Sequence, residues 1–365
     1  MKPIYYMPLP NRRRNSETSG LGICLGILLT LFVVSIGIFL FANLDFKTVE
    51  DFLKTKSNQL QGKGEIRDAF DRFVEKYEKA YSSSELQERY EIFAENYRKI
   101  IKHNEEGHSY SFGINQFSDM TSEEFKKTYL FPKEVQKSKN YKYLDNSKAD
   151  STIDWVAMGK VDKVRDQRSC GSCWSFSATG SVSSLQAIQN GLTKPNSFST
   201  QELVDCSRRY GNAACNGGTY EGAFEYIIDH GISTSQGYPY IARKHWWCRK
   251  RNPVYKINGY QHVPMNDSDQ LLNALMNQPL SVAVDAEVWQ YYEDGIIDSN
   301  CGVNLDHDVV LVAAGYDSKL KQNYWTIQNS WGPDWGENGY VRVLRQSGTC
   351  PGVCGIAMNA GYPTV

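Results

Sequence analysis

Asp166-Gln167-Arg168-Ser169-Cys170-Gly171-Ser172-Cys173-Trp174-Ser175-Phe176-Ser177-Ala178 carries a thiol out of a turn of small residues into the start of an apolar helix. Small and apolar residues recur at helical spacing from Trp174 to about Ala187, which places Cys173 at the helix N-terminus. Unpaired N–H groups and the macrodipole there favour a thiolate, so the Cys173 pKa is expected to fall. Gly171 and Ser172 leave little bulk beside the sulfur, and Gln167 can offer a side-chain N–H to a developing oxyanion. Cys173 is the candidate nucleophile.

Two cysteines three apart also suit half of a disulfide framework or half of a zinc site. The rest of the chain favours the nucleophile. A thiolate needs a distant proton partner, and Asp306-His307-Asp308 precedes an apolar run, Val309 to Ala314, followed by Gln328-Asn329-Ser330-Trp331-Gly332. Asn329 can accept the far imidazole N–H and orient the ring, while Trp331 shields that hydrogen bond from water.

Together with Cys215-Asn216-Gly217-Gly218 and Trp335-Gly336-Glu337-Asn338-Gly339-Tyr340, these motifs resemble the papain family of cysteine proteases from about residue 150 to the C-terminus. His307 lies 134 residues after Cys173, an interval that family shows. The resemblance implies an α+β fold of two lobes, a helical one carrying Cys173 and a β-barrel-like one carrying His307 and Asn329. It implies peptide-bond hydrolysis, with Gln167 and the Cys173 backbone N–H holding the oxyanion, and no metal or organic cofactor. Gly217 and Gly218 would pair with an extended substrate. Thr219, Tyr220, Ala283, Asp308 and Asn359 would line the subsite for the residue second before the cut, with Trp331 beside the histidine. Leucine or phenylalanine is the expected occupant, or arginine through Asp308, which stands where the family usually has a small residue. Disulfides Cys170–Cys215, Cys206–Cys248 and Cys301–Cys354 follow from the same resemblance and leave Cys350 odd.

Nine cysteines without zinc-like spacing point to an oxidising compartment. A net charge of −1, with no polybasic segment, argues against a nucleic-acid partner. Leu21 to Ala42 run without a charge over 22 positions, roughly 33 Å of helix at about 1.5 Å per residue, enough to span a bilayer. A cleaved signal peptide would show a shorter apolar region and a small-x-small site. Arg12, Arg13 and Arg14 precede the run, which keeps residues 1–20 cytoplasmic and 21–42 as a type II signal anchor. Residues 43–64 read as a stalk, and the remainder faces a lumen, lysosome- or vacuole-like.

Residues 65–148 form the next unit. Phe70, Phe73, Val74 and Tyr77 mark one helix, and Glu85, Arg89, Phe93, Asn96, Ile100 and Asn104 lie on one face of a second, with Glu85 paired to Arg89. That second pattern, followed by Gly113-Ile114-Asn115-Gln116-Phe117-Ser118-Asp119, resembles the inhibitory propeptides of the cathepsin L-like branch. Glu123, Glu124 and Phe125 open a short helix, and the segment from about Lys133 to Asn146 suits an extended passage across the cleft. Processing near Asn146 to Asp150 follows from the resemblance and leaves 149–365 as the peptidase domain. Helices over Thr200 to Cys206 and Tyr220 to His230 precede strands over Leu280–Ala286, Val309–Tyr316, Tyr324–Gln328 and Tyr340–Leu344.

His103, His108, His230, His245 and His262 read as surface or helix-end residues, and Trp246-Trp247 as packing under a loop. Asn266-Asp267-Ser268 suits a glycosylation sequon or a helix N-cap. Two other classes compete with a protease. An inactive family member acting as an inhibitor or binding protein would lack the thiol or the imidazole; a transglutaminase-like acyltransferase would use a carboxylate where Asn329 stands.

Overall fold

The computed structural model describes residues 62, 64–133, 141, 143–144, 152–249 and 251–365. The expected tail, anchor and most of the stalk, and the processing segment, lie outside the described residues. Among the described residues no helix is long and apolar enough to cross a membrane. The chain divides after Glu65, and the elements that carry chemistry lie in the second unit, Ile66–Val365.

Helix α1 (residues 64–76) and helix α2 (Leu86–Glu105) pack through Phe70 and Phe73, whose ring centroids lie 5.3 and 5.0 Å from Phe93. The expected Glu85–Arg89 pair is not made. Glu85 turns back as a local cap and accepts from the Ser82 backbone N–H at 3.0 Å and hydroxyl at 2.6 Å. Arg89 is thereby free for a two-pronged bond to Glu124, both prongs 2.8 Å, a better match to a planar fork than an i,i+4 contact. Asn96 donates to the carbonyls of Ser118 and Met120, which fixes the turn after Phe117. Thr121 and Glu124 close a capping box on helix α3 (Ser122–Tyr129).

Strand β1 (Tyr110–Phe112) belongs to this N-terminal segment, and β2 (Ile153–Asp154) opens the C-terminal part. Helix α4 (Cys173–Gln189) follows, buried from Cys173 to Ala187 on every side. Its Ser, Ala and Gly residues let neighbours come close: a Cβ on Gly180 would stand 2.7 Å from Val310. Helices α5 (Thr200–Cys206) and α6 (Tyr220–His230) pack beside it around Trp174, Leu203, Phe224 and Ile227.

The remaining elements are β3 (Gly259–His262), α7 (Ser268–Leu275), β4 (Leu280–Val284), β5 (Tyr292–Ile297), β6 (His307–Asp317), β7 (Gln322–Gln328), β8 (Tyr340–Leu344) and β9 (Ala360–Thr364). The sheet runs β1-β5-β8-β7-β6-β4-β9-β3, with β2 against β6. The end strands β1 and β3 do not pair, and the N-terminal segment extends the sheet through β1, Tyr110 lying opposite Gly295. The β4–β6 register sets Ala283 opposite Asp308 and Val284 opposite His307. Disulfides join Cys170 to Cys215, Cys206 to Cys248 and Cys301 to Cys354, while Cys350 is free. At the expected sequon, Asp267 is the N-cap of α7, accepting from Gln270 N–H.

Candidate active site

Cys173 opens α4, so its own N–H, like the others of the first turn, has no partner within the helix. Gln167 is held at both ends of its amide: Nε2 donates to Cys170 O at 3.1 Å and Oε1 accepts from the Ser330 hydroxyl at 2.7 Å. The Tyr240 hydroxyl donates to Gln167 O and bonds Ser172 Oγ, both at 2.7 Å, tying the amide's segment to the turn before the thiol. No pattern in the sequence marked Tyr240 for that task, because the contact spans about seventy residues.

His307 starts β6, and its Nε2 lies 2.8 Å from Asn329 Oδ1. Trp331 stacks on the imidazole at 4.8 Å between centroids and covers that bond. With Nε2 committed to the asparagine, Nδ1 is the basic nitrogen, buried and without a hydrogen-bond partner. The lobes thus contribute a thiol, an imidazole with an orienting amide, and a restrained side-chain amide. That set can support nucleophilic attack on a carbonyl with proton transfer to the leaving group.

Electrostatics hold this set dormant. The Cys173 sulfur is fully buried, and burial pushes its pKa up against the opposing Lys133 ammonium; the expected lowering at a helix N-terminus is overturned because water has been removed. Burial likewise brings His307 down to about 4, despite the Asn329 bond and the neighbouring Asp306 and Asp308 carboxylates. Asp306 is itself pushed up to about 7 by burial. Thiol and imidazole are both neutral around pH 7.

The N-terminal segment does the burying. Phe117, Phe125 and Tyr129 place their rings 5.4, 5.3 and 6.3 Å from Trp331. The backbone then runs along β6's approach, Phe131 N–H donating to Asp306 O at 2.7 Å and Lys133 N–H to Leu305 O at 2.8 Å. Phe131 lies on Gly171 and Gly217, and a Cβ on Gly171 would clash with its ring. Lys133 Nζ enters the cleft to 2.7 Å from Gly218 O, 2.7 Å from Asp308 Oδ2 and 4.0 Å from Cys173 Sγ. Tyr141 bridges to His262, and Leu144 exchanges hydrogen bonds with the Gln270 side chain.

The expected subsite residues come together. Tyr220 opens α6 behind its N-cap Thr219, its hydroxyl donates to Asn359 Oδ1, and Asn359 O accepts from Ala283 N–H. Lys133 opens the segment expected to cross the cleft, but its pairing with Asp308 was not foreseen, and Glu221 was not singled out from the sequence.

Trp246 and Trp247 do not pack under a loop. They are 95% and 71% exposed, since their loop is pinned through Cys248, Arg243 O and His245 N–H and, among the described residues, no apolar element lies above it. His103 stands in the last turn of α2, a helix end as expected, but is buried, its ring stacked on Phe112 and its Nε2 near Tyr110 O. With Glu106 and His108 it forms the set of possible metal donors found among the described residues, their ligand atoms within 4.8 Å of one another. All three donors are already engaged, His103 with Tyr110 O and His108 with Glu106.

A thiol and an imidazole from opposite lobes, under a helical segment from the same chain, define a cysteine peptidase precursor, and the chain belongs to the papain family of cysteine proteases, matched over residues 149–364. Residues 70–125 match the cathepsin propeptide inhibitor domain (I29). The cysteine protease XCP2 of Arabidopsis thaliana is 38% identical over 320 residues, covering 84% of this chain and 88% of that protein. The digestive procathepsin L 3 of Tenebrio molitor larval midgut superposes with a TM-score of 0.74 at 38% identity, over 82% of this chain and 99% of the other. The bromelain protease from Ananas comosus, solved in complex with the E64 inhibitor, superposes with a TM-score of 0.55 at 38% identity. It covers 59% of this chain and 98% of its own, so in that relative a unit of peptidase size stands without the rest.

Proposed function

We propose that the chain is a cathepsin L-like cysteine endopeptidase made as an autoinhibited precursor anchored in a membrane. The observation that carries this reading is the Cys173 helix terminus facing a cleft whose other wall holds His307 on Asn329 at 2.8 Å, with the chain's own Lys133 against the sulfur. Once the cleft is open, Cys173 attacks the peptide carbonyl and His307 delivers the proton to the leaving amine. Water then cleaves the acyl-enzyme, with His307 as base. Gln167 and the Cys173 N–H stabilise the oxyanion, each donor worth about 2.7–4 kcal/mol. Asn329 keeps the imidazole in the required tautomer and orientation.

Of leucine, phenylalanine and arginine, the side chains expected second before the cut, a cation suits a pocket that already holds a carboxylate against an ammonium. The charge-free run 21–42 behind Arg12 to Arg14 supports a type II anchor, with the enzyme in a lysosome- or vacuole-like lumen. No observation favours an inhibitor or binding protein, since thiol and imidazole are both in place. Labelling at about pH 5.5 with an epoxide that traps thiolates, followed by peptide mapping, tests the mechanism. Modification at Cys173 with loss of peptidase activity is expected; activity that survives full modification refutes it.

A further inference from the structure

Two buried carboxylates stand at the subsite beside Gly218. One is Asp308, opposite Ala283 in the β4–β6 ladder, with its side chain 2% exposed. The other is Glu221, in the first turn of α6 and 3% exposed. It lies against the Tyr220–Asn359 pair, and its charge acts on both Asp308 and Lys133. Burying a carboxylate this completely is costly, and burial pushes Glu221 up to about 7. The helix N-terminus offsets part of that cost, yet glutamine or an apolar residue would fill the same space without it.

The occupant is already visible. Lys133 brings an ammonium with a 4% exposed side chain into the subsite, where Asp308 Oδ2 and Gly218 O each receive it at 2.7 Å. Removing an ammonium from water is unfavourable unless charge and hydrogen bonds replace the water, and here both do. A compact ammonium with three donors fits this pair of acceptors better than a planar guanidinium.

We propose that this subsite takes a lysine side chain of a peptide substrate. Asp308 pairs its ammonium, Glu221 is a second specificity residue, and Lys133 is the chain's own mimic of that substrate. This rests on the peptidase reading. Its test is the ratio of kcat/KM for peptides that differ only in lysine or leucine second before the cut. The ratio is measured on enzyme released from the full-length precursor at about pH 8.5, above the ordinary carboxylate range and above the value of about 7 to which burial pushes Glu221. Being a ratio, it is independent of the fraction folded. It is expected to exceed one in the wild type, to fall about tenfold or more in Asp308→Asn, and to fall about threefold or more in Glu221→Gln, in line with truncating one partner of a buried charge pair. A binding arm needs no catalysis. The peptidase unit carrying Cys173→Ala should bind a peptide of residues 128–136 about tenfold more tightly than its K133M counterpart, and Glu221→Gln should narrow that difference. A wild type that favours leucine, or a Glu221→Gln variant that alters neither ratio, overturns the assignment. Selective binding of the Lys133 peptide by a protein that cleaves nothing would uphold the subsite and refute the peptidase reading instead.

Discussion

Phe117→Ala should separate the hold of the N-terminal segment on the active site from the segment's own stability. Phe117 is 2% exposed, with its ring 4.7 Å from Tyr129 and 5.1 Å from Phe125 on its own segment, and 5.4 Å from Trp331 across the interface. Truncating a buried phenylalanine costs about 3–5 kcal/mol in total. One of its three ring partners belongs to the peptidase, so roughly 1–2 kcal/mol falls on the interface, about a five- to thirty-fold rise in the inhibition constant. The assay adds a fragment of residues 66–133 to the released enzyme near neutral pH, with helix content followed by circular dichroism. Phe70→Ala is the control. That ring packs on Phe73, Tyr81, Tyr90 and Phe93, all in the segment itself, so it should lower the fragment's melting temperature more than it weakens inhibition by the folded fraction. A Phe117→Ala fragment that is as well folded as the wild type and inhibits within about twofold of it would refute the role given to the Trp331 contact.

Cys173→Ala should abolish peptide hydrolysis and self-processing while leaving the melting temperature of the precursor nearly unchanged; hydrolysis by that variant would sink the mechanism. Asn329→Ala should retain a weakened enzyme, at least about tenfold down in kcat with the pH profile displaced, because the imidazole loses its orienting acceptor. Alkylation of Cys173 at about pH 7 should be at least tenfold slower in the precursor than in the released enzyme, since burial disfavours the thiolate only while the segment is in place. The Arg89 bond holds Glu124 below the usual carboxylate range. Its stabilising contribution is therefore full above about pH 4.5 and is lost as the pH falls through the lowered value, and Glu124→Gln should remove that part of the acid sensitivity of inhibition. In microsomes, added protease should trim only about the first 20 residues; digestion of the C-terminal domain without detergent would reverse the proposed orientation.

What the sequence showed followed the range of the interaction responsible. The Cys173 helix, the Tyr220 helix and the strand at Tyr340 are set by local period, and they stand within a residue or two of where the pattern placed them. Partner choice was harder to read. Glu85 and Arg89 have ideal helical spacing, but Arg89 finds a two-pronged acceptor 35 residues away and Glu85 a cap three residues back. Trp246 and Trp247 read as packing under a loop, but the disulfide at Cys248 pins their own loop, and among the described residues no element covers it. Environment was the least legible of all. The sign of the Cys173 shift depends on whether water reaches the sulfur, and that is decided by residues 117–133, far upstream of the thiol.

Dormancy in the precursor thus has two parts that different changes can remove. Phe131 and Lys133 block the path along Gly171, Gly217 and Gly218, and the same coverage dries the sulfur and the imidazole until both are neutral. Lys133 works against the second part. Its ammonium, 4.0 Å from the sulfur, lowers the thiol pKa that burial raises. Asp308 resolves the conflict by drawing that ammonium to 2.7 Å and adding its own negative charge beside the thiol, which raises the pKa again. Lysine at 133 and aspartate at 308 are therefore a matched pair. Changing either alone leaves a charge buried next to the nucleophile, whereas changing both to apolar residues of similar size should restore a closed precursor while the released enzyme loses its pull on a substrate lysine.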